Sequence, residues 1–397
     1  MYLHFEQVVI HSIGGMEELD MGSRLDGNGA KYKKIYRELR EGLTSGRYLP
    51  GEKLPSEIEL VEQFSASRPT VGRALSKLES EGLVQRRAGS GTFVSTKEAP
   101  ESHVFGLLIP ELGQTEIFEP ICQGMSGARL GSRHELLWGN TASNGATKEL
   151  QAEQLCENYL KRPVSGVFFA PLELTGGKDE VNFRIVHALD EAHIPIVLLD
   201  RDIYEYPKRS SYDLVGIDNR RAGFTITEHL LGLGCKRIVF FARPNSAPTV
   251  NARAWGYRDA IATHLKNGAV DLVEFGDPTD LAKLQEILSR LRPEAFACAN
   301  DYTAAQLMTS LTSLGVNIPS EIRIVGIDDV KYASLLQVPL TTIHQPCQDI
   351  GATALLAMLD RIAHPSTPAR DFLLDFQLVI RQSSRINSGD SKSNELG

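Results

Sequence analysis

The sequence lacks any apolar stretch long enough to cross a membrane. A membrane-spanning helix needs roughly 18 or more apolar residues in a row, and charged or polar residues interrupt every apolar run of this 397-residue chain. The basic head and small-residue cleavage site of a secretory signal are also missing, since His4, Glu6 and His11 interrupt the short apolar start. We therefore expect a cytoplasmic protein with no membrane role.

Cysteine is scarce and is not arranged for disulfides or metal binding. The five cysteines are an odd number, and they lie far apart, mostly inside apolar runs, as is typical of buried thiols in a reducing compartment. The ten histidines form no H-x-x-x-H pair and no cluster with cysteine. The sequence therefore predicts no disulfide framework and no metal site, and we expect no cofactor.

The sequence motifs of common α/β enzymes are missing as well. There is no G-x-S-x-G nucleophile elbow and no G-x-x-x-x-G-K-[ST] phosphate loop, and Gly232-Leu233-Gly234 lacks the third glycine of a dinucleotide-binding fingerprint. Because α/β chains of this size are often enzymes, catalysis is the main rival interpretation. The missing motifs favour a protein that is not an enzyme.

An overall excess of positive charge, which many nucleic-acid-binding proteins have, is also absent. The formal net charge is −8, but this average hides an asymmetry along the chain. Residues 31–95 contain 12 Lys or Arg against 8 Asp or Glu, so the remainder is more acidic than the chain as a whole. A basic module joined to an acidic body is expected where only one end of a protein contacts phosphates.

The basic module has the pattern of a winged helix-turn-helix, an α+β unit. Three segments carry apolar residues at helical spacing: 32–43, 58–64 and 71–78. Ser67 is expected to cap the third helix, and residues 83–94 form two predicted strands around a small-residue turn. We assign residues 31–95 to this domain and expect the glycine-containing residues 1–30 to form a flexible tail.

The larger part of the chain has the pattern of an α/β protein. Short β-rich runs alternate with helical stretches, at residues 104–109, 135–138, 164–169, 196–199, 237–241, 295–298 and 322–327. This alternation predicts parallel sheets covered by helices, and because residues 104–383 are too many for one sheet, we expect two doubly wound lobes with a cleft between them. Residues 96–103 form a candidate linker, and residues 384–397 are expected to be disordered.

Four motifs in order make the N-terminal module resemble the GntR-type winged helix. They are L-P-S-E-I-E-L at 54–60, S-R-P-T-V-G-R-A-L at 67–75, E-G-L-V at 81–84 and G-S-G-T-F-V at 89–94. An arginine at the N-terminus of a recognition helix can bond guanine with two hydrogen bonds, which makes Arg68 the strongest candidate for a base contact. The partner implied is double-stranded operator DNA. The candidate DNA-binding residues are Lys53, Ser67, Arg68, Thr70, Arg73, Gly91 and Thr92.

Residues 104–383 resemble the LacI-type effector domain and the periplasmic sugar-binding proteins of type I. The matching motifs are V-S-G-V-F-F-A-P at 164–171, I-P-I-V-L-L-D-R at 194–201, H-L-L-G-L-G-C-K-R-I at 229–238, I-V-G-I-D-D at 324–329 and T-T-I-H-Q-P at 341–346. Ligands of such sheets bind at the carboxyl ends of the strands. Polar residues follow several predicted strands there, and Arg253 is expected to start a helix. The ligand-binding residues that the resemblance implies are Phe118, Asp200, Arg201, Arg253, Asn300, Asp328 and Gln345.

A GntR-type head on a LacI-type body resembles the arabinose-responsive repressors of bacteria. The resemblance implies a DNA-binding transcription regulator, a repressor, controlled by a small sugar bound between two lobes, with L-arabinose or another pentose as the leading candidate. A homodimer and a palindromic operator are expected with it. The alternative is a cytoplasmic sugar-binding or α/β enzyme-like protein whose N-terminal domain serves protein interaction.

Overall fold

The computed structural model describes residues 27–44, 47–49, 51–87, 89–95, 102–110, 116–128, 134–139, 147–265 and 271–385. The chain separates into two compact units between Ser102 and His103. Within the described part, none of the helices combines the length and the apolar character that a membrane crossing requires. The described residues also contain no group of three or more His, Cys, Asp or Glu side chains placed to hold a metal ion.

The described residues of the first unit form three helices and a two-stranded sheet. They are α1 (Gly27–Thr44), α2 (Glu57–Phe64), α3 (Arg68–Ser80), β1 (Val84–Arg87) and β2 (Gly91–Val94). The two strands pair antiparallel, and buried Ile35, Leu60 and Leu75 belong to the core beneath them. Helix α1 starts four residues before the predicted boundary, so the prediction of a tail through residue 30 is wrong there. Extending a formed helix costs far less than nucleating one, so these residues need no apolar periodicity; residues 1–26 lie outside the described residues.

The two helix starts near the predicted recognition helix differ in their caps. In α2 the Ser56 hydroxyl accepts from the Glu59 backbone N–H, and the Glu59 carboxylate accepts from the Ser56 N–H, which is a complete capping box. Ser67 occupies the N-cap position of α3, but its side chain does not cap the backbone. Its hydroxyl lies 2.7 Å from the Thr70 hydroxyl and pairs with it instead, which corrects the expected cap.

The second unit consists of two lobes, each built on a six-stranded sheet. The first sheet is entirely parallel and has the order β13-β7-β6-β5-β3-β4. Its strands are β3 (Val104–Leu108), β4 (Glu135–Leu137), β5 (Gly166–Phe169), β6 (Ile196–Leu199), β7 (Asp213–Ile217) and β13 (Asp371–Leu374). The helices of this first lobe are α4 (Phe118–Gly127), α5 (Lys148–Lys161), α6 (Lys178–Glu191) and α11 (Cys347–Ala363).

The second sheet has the order β14-β12-β11-β10-β8-β9 and is parallel except for β14 at its edge. Its strands are β8 (Ile238–Ala242), β9 (Val273–Phe275), β10 (Ala295–Cys298), β11 (Arg323–Asp328), β12 (Thr341–His344) and β14 (Gln377–Val379). Its helices are α7 (Asn219–Gly232), α8 (Pro248–His264), α9 (Leu281–Leu291) and α10 (Asp301–Ser313). The described segments therefore pass between the lobes three times, after β7, β12 and β13.

The predicted linker and C-terminal tail fall largely outside the described residues. Residues 96–101 and 386–397 belong to that part of the chain. The prediction of disorder from residue 384 is wrong at its first residue, since Ser384 is fully buried. Its hydroxyl pairs with the Thr341 hydroxyl at 2.8 Å and with the His229 ring at 2.9 Å, so tertiary contacts order a polar segment that composition alone marks as disordered.

Glycines let the helix backbones touch where each lobe is most tightly packed. A Cβ atom on Gly223 of α7 would lie 2.0 Å from the Arg253 carbonyl oxygen, and one on Gly256 of α8 would lie 1.8 Å from the Arg220 carbonyl oxygen. The α4 and α11 helices cross in the same way, at Gly124 and Gly351. Because real Cβ contacts are never this short, only glycine fits these crossings without moving a helix.

Substituting Gly223 with alanine is expected to destabilise the body, because α7 and α8 must separate to admit the methyl group. Overpacking of this kind lowers the free energy of unfolding by about 1–3 kcal/mol, measured by calorimetric unfolding. Gly232 of the same helix is the matched control, since its Cβ would meet nothing within 4 Å. Equal unfolding temperatures for Gly223→Ala and Gly232→Ala would show that the crossing is not tight.

Candidate functional site

A cavity of about 320 Å³ lies between the two lobes of the second unit. Its walls come from the carboxyl ends of parallel strands of both sheets and from the first turns of α4 and α8. The charged and polar lining residues are Glu116, Lys148, Glu173, Asp200, Arg201, Arg243, Thr249, Arg253, Asn300, Tyr302 and Asp328. This is the position where open α/β sheets bind ligands, and the volume suits a small molecule.

The structure brings six of the seven predicted ligand residues to this cavity. They are Phe118, Asp200, Arg201, Arg253, Asn300 and Asp328. Gln345 lines a neighbouring cavity, and its Nε2 donates to Asp328 Oδ1 at 2.7 Å, so it helps to hold the Asp328 carboxyl group in place. Asn300 has a second role, because its Oδ1 accepts from the Thr303 N–H at 2.9 Å and caps α10.

Arg201 is the centre of the first lobe's side of the cleft. Its Nη1 lies 2.5 Å from Glu173 Oε1 and 3.7 Å from Asp200 Oδ2, and its guanidinium lies 5.4 Å from the Phe118 ring centroid. Burial alone would raise the pKa of Glu173, but the Arg201 guanidinium holds it below its usual value. Glu173 was not among the predicted site residues, because it lies beyond Pro171 and Leu172 after the end of β5, whereas Asp200 follows β6 directly.

Arg253 is the corresponding residue of the second lobe. Its Nε donates to Asn219 Oδ1 at 2.8 Å and its Nη1 to the Ala299 carbonyl at 2.6 Å, while Nη2 lies 3.7 Å from Asp328 Oδ1. The prediction that Arg253 starts a helix is wrong, because α8 begins at Pro248 and proline is favoured in a first helical turn. Arg253 therefore enters the cleft from the second turn.

The two aromatic neighbours of Arg253 on α8, Trp255 and Tyr257, lie in different surroundings. Tyr257 is 1% exposed and donates to the Ile238 carbonyl at 2.8 Å, so it belongs to the core. Trp255 is 51% exposed, and it lines a different cavity on the outer side of the helix. Neither aromatic residue lines the cleft.

Two buried polar atoms at the base of the cleft have no hydrogen-bond partner among the described residues. They are Asp200 Oδ1, an acceptor, and Arg201 Nε, a donor. Leaving such groups buried and unpaired costs about 1–3 kcal/mol each. Asp200 also holds a left-handed backbone conformation, with φ of 67°, and burial raises the pKa of its carboxyl group despite the nearby Arg201 and Arg253. Strain and unsatisfied polar groups of this kind mark functional sites.

The same pattern occurs on the opposite wall at Asp328. Its φ is 131°, which is also in the range that favours glycine. Burial raises the pKa of the Asp328 carboxyl group well above its usual value, and Arg253 opposes this effect. The first wall of the cleft thus presents two carboxylates, Glu173 and Asp200, beside the Arg201 guanidinium, and the second presents Asp328 beside the Arg253 guanidinium. Such pairs can donate to and accept from hydroxyl groups in fixed directions.

In the first unit, the candidate recognition helix α3 presents an exposed N-terminus. The side chain of Arg68, its first residue, is 75% exposed, and Nε lies 3.4 Å from Glu57 Oε2. Ser67 and Arg73 are also exposed, and the Arg73 guanidinium lies 4.8 Å from the Tyr32 ring centroid. Thr70 is 6% exposed, so of the predicted residues here it presents the least surface to a partner.

The hairpin carries basic residues that the sequence analysis did not select. The Arg87 guanidinium lies 4.8 Å and the Lys53 amine 6.0 Å from the Phe93 ring centroid. Arg86 pairs with Glu57. Gly91 has φ of 112° and is exposed at the turn, whereas Thr92 is buried. The signal that could have found Arg86 and Arg87 is an arginine pair placed directly before the small-residue turn.

Removing Arg87 is expected to weaken DNA binding equally on every sequence. A phosphate contact carries no base information, so Arg87→Ala should reduce the slope of log affinity against log salt by about 1. Salt titrations by fluorescence anisotropy on operator and scrambled DNA measure both quantities. Gln85→Ala, an exposed neighbour on β1 without charge, is the control. A loss confined to the operator sequence would show that Arg87 contacts a base.

Comparison with known proteins gives matches for both units. The family model described as bacterial regulatory proteins, gntR family, matches residues 31–94, and the periplasmic binding protein-like domain matches residues 227–384. The arabinose metabolism transcriptional repressor of Geobacillus stearothermophilus is 30% identical over 369 residues, covering 89% of this chain and 98% of that protein. The chain belongs to this family of transcriptional repressors. The repressor of the same description from Halalkalibacterium halodurans is 25% identical, with 89% and 96% of the two chains covered.

Solved structures share this fold. The repressor chain superimposes on the transcription regulator CcpA of Lactococcus lactis with a TM-score of 0.60 at 20% identity, covering 72% of this chain and 100% of that one. The transcription regulator GntR from Chromobacterium violaceum matches with a TM-score of 0.54 at 26% identity, covering 71% and 98%. The predicted fold, a winged helix-turn-helix followed by two parallel-sheet lobes, is confirmed. The repressor therefore combines a GntR-type DNA-binding domain with a periplasmic-binding-protein-like effector domain.

Proposed function

We propose that this repressor acts in the cytoplasm and that a neutral sugar bound in the cleft controls its affinity for operator DNA. The observation that carries the proposal is the unpaired acceptor Asp200 Oδ1 beside the unpaired donor Arg201 Nε. A ligand hydroxyl suits either atom, because a hydroxyl group can both donate and accept a hydrogen bond. A carboxylate or phosphate oxygen of a ligand could accept from Arg201 but would repel Asp200.

The charge of the cleft supports a neutral ligand. Its lining has four carboxyl groups and four cationic groups, so the charges balance. They are those of Glu116, Glu173, Asp200 and Asp328 and those of Lys148, Arg201, Arg243 and Arg253. The first two relatives are described as repressors of arabinose metabolism, and a structure 23% identical to this chain is described as a CelR–cellobiose complex. We propose L-arabinose, or another pentose, as the effector. The proposal includes no catalytic step, cofactor or metal ion.

The proposal also assigns a function to each segment of the chain. Residues 31–95 bind DNA through Lys53, Ser67, Arg68, Thr70, Arg73, Gly91 and Thr92, with Arg87 added from the structure. Residues 96–103 act as the linker, and residues 104–383 bind effector and dimerise. A two-fold homodimer places two recognition helices on one operator, which favours a palindromic DNA sequence. Effector binding shifts the balance between lobe arrangements and so alters how DNA is held.

Calorimetric titration with a panel of sugars tests the effector class. We expect one neutral pentose or hexose to bind at micromolar to millimolar concentration, and the corresponding sugar phosphates to bind at least about tenfold more weakly because Asp200 repels a phosphate group. Saturable binding of a sugar phosphate in preference to every neutral sugar would contradict the proposed ligand chemistry. Tight binding of a nucleobase alone would contradict the sugar class altogether.

A further inference from the structure

A second cavity lies on the outer side of α8, away from the effector cleft. Its volume is about 310 Å³, close to that of the cleft. The side chains that matter here are those of Glu205, Tyr206, Asn251, Trp255, Arg258 and Phe275. Helix α8 forms a wall of both cavities, since it turns Arg253 toward the cleft and Trp255 toward the second cavity. Nothing in the repressor function described above uses this second cavity.

Three exposed aromatic rings from different parts of the fold converge on this cavity. Tyr206 is 84% exposed, Trp255 51% and Phe275 47%. Clustered apolar surface of this kind marks binding sites, whereas single exposed apolar residues are ordinary. The Arg258 guanidinium lies 4.9 Å from the Trp255 ring centroid, and its Nε donates to Asp271 Oδ2 at 2.8 Å. The indole is therefore held in place by a neighbour that is itself anchored.

Planar polar groups stand beside these rings. Asn251 Nδ2 donates to Glu205 Oε1 at 2.9 Å, so an amide and a carboxylate are fixed at the edge of the aromatic surface. Aromatic faces take the C–H side of a sugar ring, and oriented amides and carboxylates bond its hydroxyl groups. One acidic and one basic side chain, Glu205 and Arg258, leave the cavity without a strong preference for a charged ligand.

We propose that this outer cavity is a second binding site for a neutral saccharide, formed jointly by the two lobes. Glu205 and Tyr206 follow β6 of the first lobe, and Asn251, Trp255 and Arg258 lie on α8 of the second. The Asn251 to Glu205 hydrogen bond already joins the lobes here. A saccharide bound across this junction favours the lobe arrangement in which the cavity exists. Provided that the proposed effector binds between the same lobes, each ligand strengthens binding of the other, because such coupling is reciprocal.

Trp255 provides its own reporter for the test. The chain contains two tryptophans, so Trp138→Phe leaves Trp255 as the only indole. We expect D-glucose, L-arabinose or cellobiose to change its fluorescence saturably, and to retain a saturable change in an Asp200→Asn background, where the cleft is impaired. Tyr206→Ala should weaken this binding about three- to tenfold, the loss of one aromatic contact. Leu160→Ala, an exposed apolar residue at the end of α5, should not weaken it.

The outcomes separate this site from the effector cleft. A signal that disappears in the Asp200→Asn background would overturn the proposal, since Trp255 would then report only events in the cleft. No saturable change with any of the three sugars, or a change with a proline-rich peptide alone, would overturn it as well. If Trp138→Phe impairs folding, calorimetry on Asp200→Asn with and without Tyr206→Ala gives the same comparison. Failure of sugar to affect DNA binding would contradict the proposed function and leave this site standing.

Discussion

Replacing Asp200 with asparagine is expected to weaken effector binding by about ten- to a hundredfold without lowering the stability of the body. The affinity falls because a charge-assisted hydrogen bond to a ligand hydroxyl is lost, which is worth about 1.5–3 kcal/mol. Stability is preserved because the carboxylate is buried, has one oxygen without a partner and occupies a left-handed backbone conformation, which asparagine tolerates well. Calorimetric titration and thermal unfolding measure the two effects.

The stability effect of Asp200→Asn should depend on pH in a defined direction. Burial raises the pKa of Asp200 in the folded protein above its unfolded value, which is about 3.9. The ionised carboxyl group therefore destabilises the folded state, and this penalty is full above the folded pKa and disappears as pH falls below the unfolded pKa. The variant should gain most over the natural protein at neutral pH and nothing near pH 3. A gain that grows toward acid pH would contradict this account of Asp200.

Asp202 provides the matched control, because its carboxyl group is hydrogen-bonded within the protein and has no place in the cleft. Its Oδ2 accepts from the Ser210 N–H and hydroxyl at 3.1 and 3.0 Å, and its Oδ1 accepts from the Tyr204 N–H at 3.0 Å. It does not line the cleft. Asp202→Asn should therefore lower the unfolding temperature and leave effector affinity unchanged. If both variants reduce affinity equally, the contribution assigned to Asp200 is a general effect of disturbing its loop.

Removing the Arg68 side chain is expected to cost operator affinity and to relax its sequence preference. A bidentate contact to guanine contributes about 1–3 kcal/mol of discrimination, so Arg68→Ala should weaken operator binding roughly five- to a hundredfold. The fold should survive, because the Arg68 side chain is 75% exposed and its Nε lies as far as 3.4 Å from Glu57. Exposed pairs of this kind contribute little to stability.

Binding to a set of operator variants distinguishes a base contact from a phosphate contact. Arg68→Ala should bind the natural operator more weakly than the natural protein does. On operators mutated at the one base pair that Arg68 contacts, the two proteins should bind equally well. Lys34→Ala, which removes an exposed charge on α1 paired with Glu38, serves as the charge-matched control. Equal weakening of all sites by Arg68→Ala would place Arg68 on the phosphate backbone.

Much of the cleft could be predicted from sequence because its residues obey one simple rule. The carboxyl ends of parallel strands meet at one edge of a sheet, so polar residues at or just after the strand ends of the same sheet, such as Asn300 and Asp328 of the second sheet, lie close together. Glu173 obeys the same rule, but the intervening Pro171 and Leu172 separate it from its strand. The position of Arg253 could also have been predicted. Proline is favoured in the first turn of a helix, so a start at Pro248 places Arg253 in the second turn of α8.

Other features depend on tertiary contacts and leave no local pattern. The helix crossings at Gly223 and Gly256 involve residues far apart in sequence, and a glycine at close packing looks the same as one in open space, such as Gly232. The burial of Thr70, in contrast, could have been predicted from the sequence. Thr70 lies at helical spacing from Ala74 and Leu78, on the buried face of α3. Amino-acid composition also failed to predict that Ser384 is ordered, because the order comes from buried hydrogen bonds.

The most direct test of the central claim is fluorescence anisotropy of the full-length protein on DNA from upstream of its own coding sequence, at fixed salt, with and without L-arabinose and a panel of other neutral sugars. Salt must be fixed because phosphate contacts make protein–DNA affinity depend steeply on it. The account predicts specific binding that one sugar shifts several-fold, with the shift abolished by Asp200→Asn and operator binding retained. Binding to DNA that no sugar alters would contradict control by a cleft ligand. The absence of any DNA binding would contradict the repressor function itself and favour a sugar-binding or enzyme-like protein.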